Sequence, residues 1–358
     1  MLKSRLCIAF FAFAVGCAPA QKPLTDYVNP MLGTATLWDS VDLGFKPTKR
    51  TWGAEVFPGS SLPNAMVQVS PVTKFHSGAG YQYEDSVIYG FTHTNKGHWN
   101  LCHIPLLPVT GTPTPGDYCS PFSHERESAA PGYYQVFLDR YGVDAQLSST
   151  LRCAFHKYTY PAGAAASLLA DLQRSNEHVR AWDIRKEGDN VFAGWQQTGE
   201  KMYFYAVANR PVTGIEPVVE GDREVRIVRF GEGDGALELR IGFSFVSEKN
   251  ARENLEAEML GKSFAEVRSE ATATWNDLLG RIRVEGGTER EKGLFYSSLY
   301  RSFLWPALRS DVNGEFTDVD GKVINPGFRY YTGPSYWDDY RNKLILLGML
   351  APDVAADV

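Results

Sequence analysis

Leu237-Glu238-Leu239-Arg240-Ile241-Gly242-Phe243-Ser244-Phe245 is the stretch that decides the fold. Its apolar residues occupy every second position, the period of a strand with one face in a core and the other toward water. Shortly downstream the period changes. Ser263 and Glu266 form an S-x-x-E capping box, after which Phe264, Val267, Ala271, Trp275, Leu278 and Ile282 recur at steps of three and four, as on an amphipathic helix. The change near Asn250 predicts a β domain followed by a helical one.

Upstream, the two-residue period returns in Ala65 to Val72, Tyr133 to Tyr141, Arg152 to Pro161, Val179 to Lys186, Met202 to Ala208 and Val225 to Phe230. No helix-length apolar stripe separates these runs, so antiparallel sheets in a sandwich are expected rather than a parallel α/β sheet. Pro71 to Pro131, rich in Gly, His, Pro and Tyr, reads as long loops with only partial strand character. Downstream, a second box at Thr288 and Glu291 opens a helix carrying Leu294, Phe295, Leu299 and Phe303, which Pro306 should stop. Asp311 to Val323 reads as a hairpin with turns at Asn313-Gly314 and Asp320-Gly321. Tyr336 to Leu350 reads as a further apolar helix. That helix has no partner before Val358, so the sequence is expected to be the front portion of a longer protein.

The 358 residues carry 36 basic and 42 acidic side chains, a net charge of −6. No overall positive field exists to hold a nucleic acid or an anionic membrane. Met1 to Gln21 has the order of a secretory signal: Lys3 and Arg5, an apolar run from Leu6 to Val15, then small residues. Ala14-Val15-Gly16 before Cys17 suits a lipoprotein signal with Cys17 lipidated, and Ala18-Pro19-Ala20 suits ordinary cleavage. Either reading predicts an exported protein: periplasmic, extracellular or lipid-anchored to a bacterial outer membrane. The remaining cysteines, Cys102, Cys119 and Cys153, give no disulfide framework.

Three groups of residues could carry chemistry. His93, His98 and His103 stand beside Cys102, but the spacing is not that of an established zinc site. Asp311-x-Asn313 and Asp318-x-Asp320-Gly321 resemble pieces of a calcium loop yet lack its Glu, and turn chemistry explains them. Trp52, Trp99 and Trp337 each lie next to Gly or hydrogen-bonding residues. An indole face can stack on the C–H face of a sugar while Asp, Asn or His groups bind its hydroxyls.

Read together, several blocks resemble glycoside hydrolase family 92, the calcium-dependent bacterial exo-α-mannosidases. They are Tyr27 to Thr34 (YVNPMLGT), Phe57-Pro58-Gly59, Met66 to Pro71 (MVQVSP), Ile88 to Thr94 (IYGFTHT), Phe295 to Tyr300 (FYSSLY), Ser310 to Gly314 (SDVNG), and Ser335-Tyr336-Trp337-Asp338 with Tyr340-Arg341. The resemblance implies a secreted inverting exo-α-mannosidase acting on mannose-containing glycans. It also implies an N-terminal β-sandwich (24–249), a helical linker (250–284) and the truncated start of an (α/α)6 toroid (285–358), after a signal at 1–21. Inversion needs a general acid and a general base roughly 6.5–9.5 Å apart with water between base and sugar. Both carboxylates and the calcium ligands are expected beyond Val358, so no catalytic residue or metal ligand is assigned here.

What the resemblance does carry over is substrate binding. Trp337 and Asp338 match the family's Trp-Asp pair in the pocket for the terminal mannose, and His93, Trp99 and Trp52 are further candidates on sandwich loops. The chain departs from the family pattern at Asn64-Ala65 and at Lys96-Gly97-His98-Trp99-Asn100, where specificity would be set. Two other readings stand beside this one: a carbohydrate-binding sandwich without catalysis, and a zinc hydrolase built on the His93 to His103 loop.

Overall fold

The computed structural model describes residues 22–36, 44–46, 54–96, 99–332 and 336–358, without the side chains of 95, 96, 99, 336 and 338. The expected signal segment therefore lies outside the described residues.

Two antiparallel sheets dominate the first part of the chain. A seven-stranded sheet runs, edge to edge, Ser60–Ser61, Gln68–Val72, Gly90–Thr92, Leu106–Val109, Ser167–Ala170, Arg223–Phe230 and Val212–Glu220. An eight-stranded sheet runs Ala181–Gly188, Val191–Gln197, Lys201–Ala208, Leu237–Ser244, Cys153–Thr159, Val143–Ser149, Tyr133–Leu138 and Glu127–Ala130. Val69, Phe91, Leu106 and Ile227 of the first share one core with Tyr134, Leu147, Phe204 and Ile241 of the second. This is the expected antiparallel sandwich.

Leu237–Ser244 sits inside the eight-stranded sheet, between Lys201–Ala208 and Cys153–Thr159. Leu237, Leu239, Ile241 and Phe243 are fully buried in the core. On the other face Glu238 and Arg240 are partly exposed, as alternation predicts, but Gly242 and Ser244 are buried. Helix α1 (Glu248–Glu258) covers them. Gly242 makes the close approach possible, since a Cβ there would lie 2.1 Å from the Ala251 carbonyl oxygen.

The Ser247 hydroxyl caps α1, accepting from the Asn250 N–H at 3.1 Å. Both predicted capping boxes form: Ser263 with Glu266 opens α2 (Phe264–Leu279), and Thr288 with Glu291 opens α3 (Glu289–Ser302). Helix α3 stops four residues before Pro306, whose ring would meet the carbonyl of Ser302 in a continued helix. Trp275, Leu278 and Leu279 of α2 and Tyr296, Leu299 and Tyr300 of α3 pack with Leu24, Val28, Phe57 and Leu62 in a second core. The Trp275 indole N–H donates to the Ser61 carbonyl at 2.7 Å, which ties this helical layer to the edge of the sandwich.

One expected element is corrected. Tyr336 to Leu350 is not a single helix but two, Tyr336–Asp339 and Lys343–Leu350, followed by Pro352–Asp357. Asp338, Asp339 and Asn342 fall at the break, and such side chains favour local hydrogen bonds over helix interior. The hairpin near Asp311 is present, with Phe316–Thr317 paired to Val323–Ile324.

Candidate sugar-binding site

The candidates on the sandwich side lie on loops between its strands. A short hairpin pairs Asn95 with Asn100 and Lys96 with Trp99. Its base is held by backbone-directed bonds: Asn100 N–H donates to the Gly78 carbonyl at 2.7 Å, and the Asn176 amide donates to the Asn100 carbonyl at 2.5 Å. His103 braces the same base. Its Nδ1 lies 2.9 Å from the Thr94 hydroxyl, and its Nε2 lies 3.0 Å from the Thr198 hydroxyl and 3.2 Å from Glu177. Because Thr198 itself donates to Glu177 at 2.6 Å, Nε2 carries the proton and Nδ1 accepts from Thr94.

His93 is not on this rim. It is fully buried, with Nε2 3.0 Å from Nε2 of His156 and its ring 4.6 Å from that of Phe243. His156 in turn places Nδ1 2.6 Å from the Tyr158 hydroxyl. Burial pulls the His93 imidazole down to about 3 and His156 well below its ordinary value, so both rings are neutral. A His93 contact with sugar is thus corrected: Thr92 to Thr94 is buried throughout, and His93 points into the sandwich core. The structure also separates the proposed zinc histidines, since His93 bonds His156 while His103 bonds Thr94, Thr198 and Glu177.

The other candidates, Trp337 and Asp338, lie in the helical region. Trp337, on the helix Tyr336–Asp339, has 86% of its surface exposed. Asp339 is buried behind it and pairs with Lys343 at 3.2 Å. Trp52, His98 and Cys17 lie outside the described residues, as do the side chains of Trp99 and Asp338.

Asp311, part of a suspected calcium-loop fragment, is a structural clasp. It accepts from the Ser244 hydroxyl at 2.7 Å and from the amides of Asn250 at 2.9 Å and Asn254 at 2.7 Å. Asp318 holds its own turn, accepting from the N–H groups of Asp320 and Lys322. Among the described residues no group of three or more His, Cys, Asp or Glu side chains could hold a metal ion. Cys102 and Cys153 are free, buried thiols, whereas free Cys119 is half-buried rather than buried.

Arg309 was not singled out by the sequence. It is almost wholly buried, and with Tyr203, Phe245, Thr317 and Tyr330 it lines a cavity of about 570 Å³ beside the Phe316–Ile324 hairpin. Its one sequence signal is a cation directly after the apolar run Trp305-Pro306-Ala307-Leu308.

The N-terminal domain model of glycosyl hydrolase family 92 matches residues 27–254, and the catalytic domain model of the same family matches 250–358. The two matches meet inside α1. The fold is similar to that of the family GH92 alpha-mannosidase BT3965 of Bacteroides thetaiotaomicron, at TM-score 0.83 and 26% identity over 94% of this chain and 48% of that one. BT3965 has also been solved in complex with mannoimidazole. The inverting mannosidase BT2199 of the same bacterium matches at TM-score 0.80 and 26% identity, over 94% of this chain and 47% of that one. A protein of Arthroderma benhamiae described as an uncharacterized secreted glycosidase is 24% identical, over 81% of this chain and 42% of its own. The chain spans about half the length of these solved relatives. With family matches running from residue 27 to residue 358, the chain belongs to glycosyl hydrolase family 92.

Proposed function

We propose that the protein is an exported, inverting exo-α-mannosidase that releases terminal α-linked mannose from glycans, and that this chain supplies its substrate-shaping part. The observation that carries the reading is the pairing of the family match with an exposed Trp337 followed directly by Asp338. In this role the Trp337 indole stacks on the C–H face of the terminal mannose, and the Asp338 carboxylate accepts hydrogen bonds from its hydroxyls. Trp99 and Trp52 remain candidates on the sandwich side, and His103 positions the Trp99 hairpin through Thr94. Water attacks the anomeric carbon opposite the leaving oxygen, assisted by a general base, while a general acid protonates that oxygen. No described residue is assigned to either role. Calcium is implied by the family resemblance, but the described residues do not fit a calcium site.

The test is hydrolysis of an aryl α-mannoside by the full-length protein, with proton NMR of the fresh product. Inversion predicts β-mannose as the first anomer. Asp338→Ala should lower kcat/KM about a hundredfold, the equivalent of losing two charge-assisted hydrogen bonds of ~1.5 kcal/mol each. Trp337→Ala should act mainly on KM. Near-normal turnover in Asp338→Ala refutes that residue's role, and mannoside binding without any hydrolysis favours a carbohydrate-binding protein instead.

A further inference from the structure

The cavity beside the Phe316–Ile324 hairpin contains a charge that the fold leaves unanswered. The side chain of Arg309 is only 4% exposed; its Nε and Nη1 have no hydrogen-bond partner among the described residues and are closed to solvent, which leaves Nη2, on the side of Glu200, as the donor toward the cavity. Its guanidinium carbon lies 4.1 Å from the centre of the Phe245 ring, and its backbone is fixed by the Arg309 N–H bond to the Tyr330 carbonyl at 2.8 Å. The carboxylate facing it, Glu200 Oε2, stands 3.7 Å from Nη2, beyond hydrogen-bond length, on a side chain that is 61% exposed. Burial lowers the guanidinium's proton affinity, and the nearby Glu200, Tyr330 and Glu177 offset that only in part. A cation held this way is costly to the fold and favourable to an incoming anion.

The rest of the lining defines the anion. Tyr203, Phe245 and Tyr330 supply apolar faces, while Gln197 and Thr317 supply hydrogen-bonding groups, as a sugar ring requires. Arg309 and Lys201 are the cations and Glu200 and Asp318 the carboxylates, so the lining is formally neutral and suits a monoanion better than a dianion. A volume of about 570 Å³ accommodates one or two sugar rings. We propose that this cavity binds an acidic sugar of the hexuronate class, with its carboxylate on Arg309 and its ring between Tyr203, Phe245 and Tyr330. Glu200 then acts as a competitor for Arg309, displaced when the sugar carboxylate arrives.

The proposal goes beyond the mannosidase reading and can be tested without turnover. Binding of glucuronate, glucose and glucose 6-phosphate to the full-length protein is measured by titration calorimetry. Glucuronate should bind at least tenfold more tightly than glucose. Arg309→Gln should erase that preference, and Glu200→Gln, at an exposed position that leaves the fold alone, should tighten glucuronate several-fold. Where Arg309→Gln fails to fold, Glu200→Gln decides by itself. Equal affinity for glucose and glucuronate, or unchanged or weaker glucuronate binding in Glu200→Gln, overturns the proposal. So does tighter binding of glucose 6-phosphate than of glucuronate, since the lining would then be accepting a dianion. Loss of mannosidase activity in the earlier experiment would leave all of these results intact.

Discussion

The Nε2 atoms of His93 and His156 face each other across 3.0 Å in the sandwich core, a distance that fits one proton and not two. Protonating either ring puts an unsolvated charge between Phe91 and Phe243, and burial holds His93 down to about 3 from an ordinary 6.5. The unfolded chain therefore takes up protons below pH 6.5 that the folded chain refuses. Stability is fully present above 6.5 and drains as pH falls toward 3, by up to ~1.4 kcal/mol per pH unit for each imidazole. Urea denaturation at pH 7.5, 6.0 and 5.0 should show this loss before most carboxylates titrate, and His156→Phe should reduce its slope by about half, leaving the share of His93. A stability profile flat from 7.5 to 5.0 in the unmodified protein refutes the account. Sequence could not place these rings, because His93, just past the strand Gly90–Thr92, and His156, within Cys153–Thr159, meet only through tertiary packing. It singled out Trp337 as a sugar-stacking candidate, and the side chain is exposed; it missed Arg309, whose burial no local pattern encodes.

At the scale of elements, local rules were legible where one face of a segment meets water. Both capping boxes and the alternating strands fall into this class. Leu106–Val109 and Ser167–Ala170 do not: they are buried at every position, and a strand without a wet face has no period to read. Gly242 marks a different limit. Its place on the outward face looked unremarkable, yet it is where α1 lies against the sheet, and a Cβ there would meet the Ala251 carbonyl oxygen at 2.1 Å and the Leu255 Cβ at 2.8 Å. Gly242→Val must push α1 off its seat and separate Ser244 from the Asp311 clasp. The expected cost is about 3 kcal/mol or somewhat more, at the upper end of overpacking, read as a lower urea midpoint. A midpoint within error of the parent protein would show that α1 docks loosely and that the clasp does not depend on it.

For the molecule as a whole, the two layers exchange residues instead of merely touching. Leu308 and Tyr331 from the helical region sit in the sandwich core, while Leu24, Phe57 and Leu62 from the first part of the chain sit among α2 and α3. Glu258 on α1 closes the joint. It accepts from the Thr150 hydroxyl at 2.6 Å, the Arg152 N–H at 2.9 Å and Arg152 Nη1 at 2.6 Å, and Arg152 Nε continues to the Ser310 carbonyl at 2.8 Å. Next to it in sequence, Asp311 binds the sheet and α1 together. Glu258→Ala leaves the Arg152 guanidinium buried without its carboxylate, a change worth about 3–5 kcal/mol in comparable pairs. Since each layer's core contains side chains from the other, that loss should destabilise both at once. Amide hydrogen exchange should then show α2 and Leu237–Ser244 losing protection in parallel, with a lower common urea midpoint. A variant whose α2 amides lose protection while those of Leu237–Ser244 keep it would show that sandwich and helical region are separable.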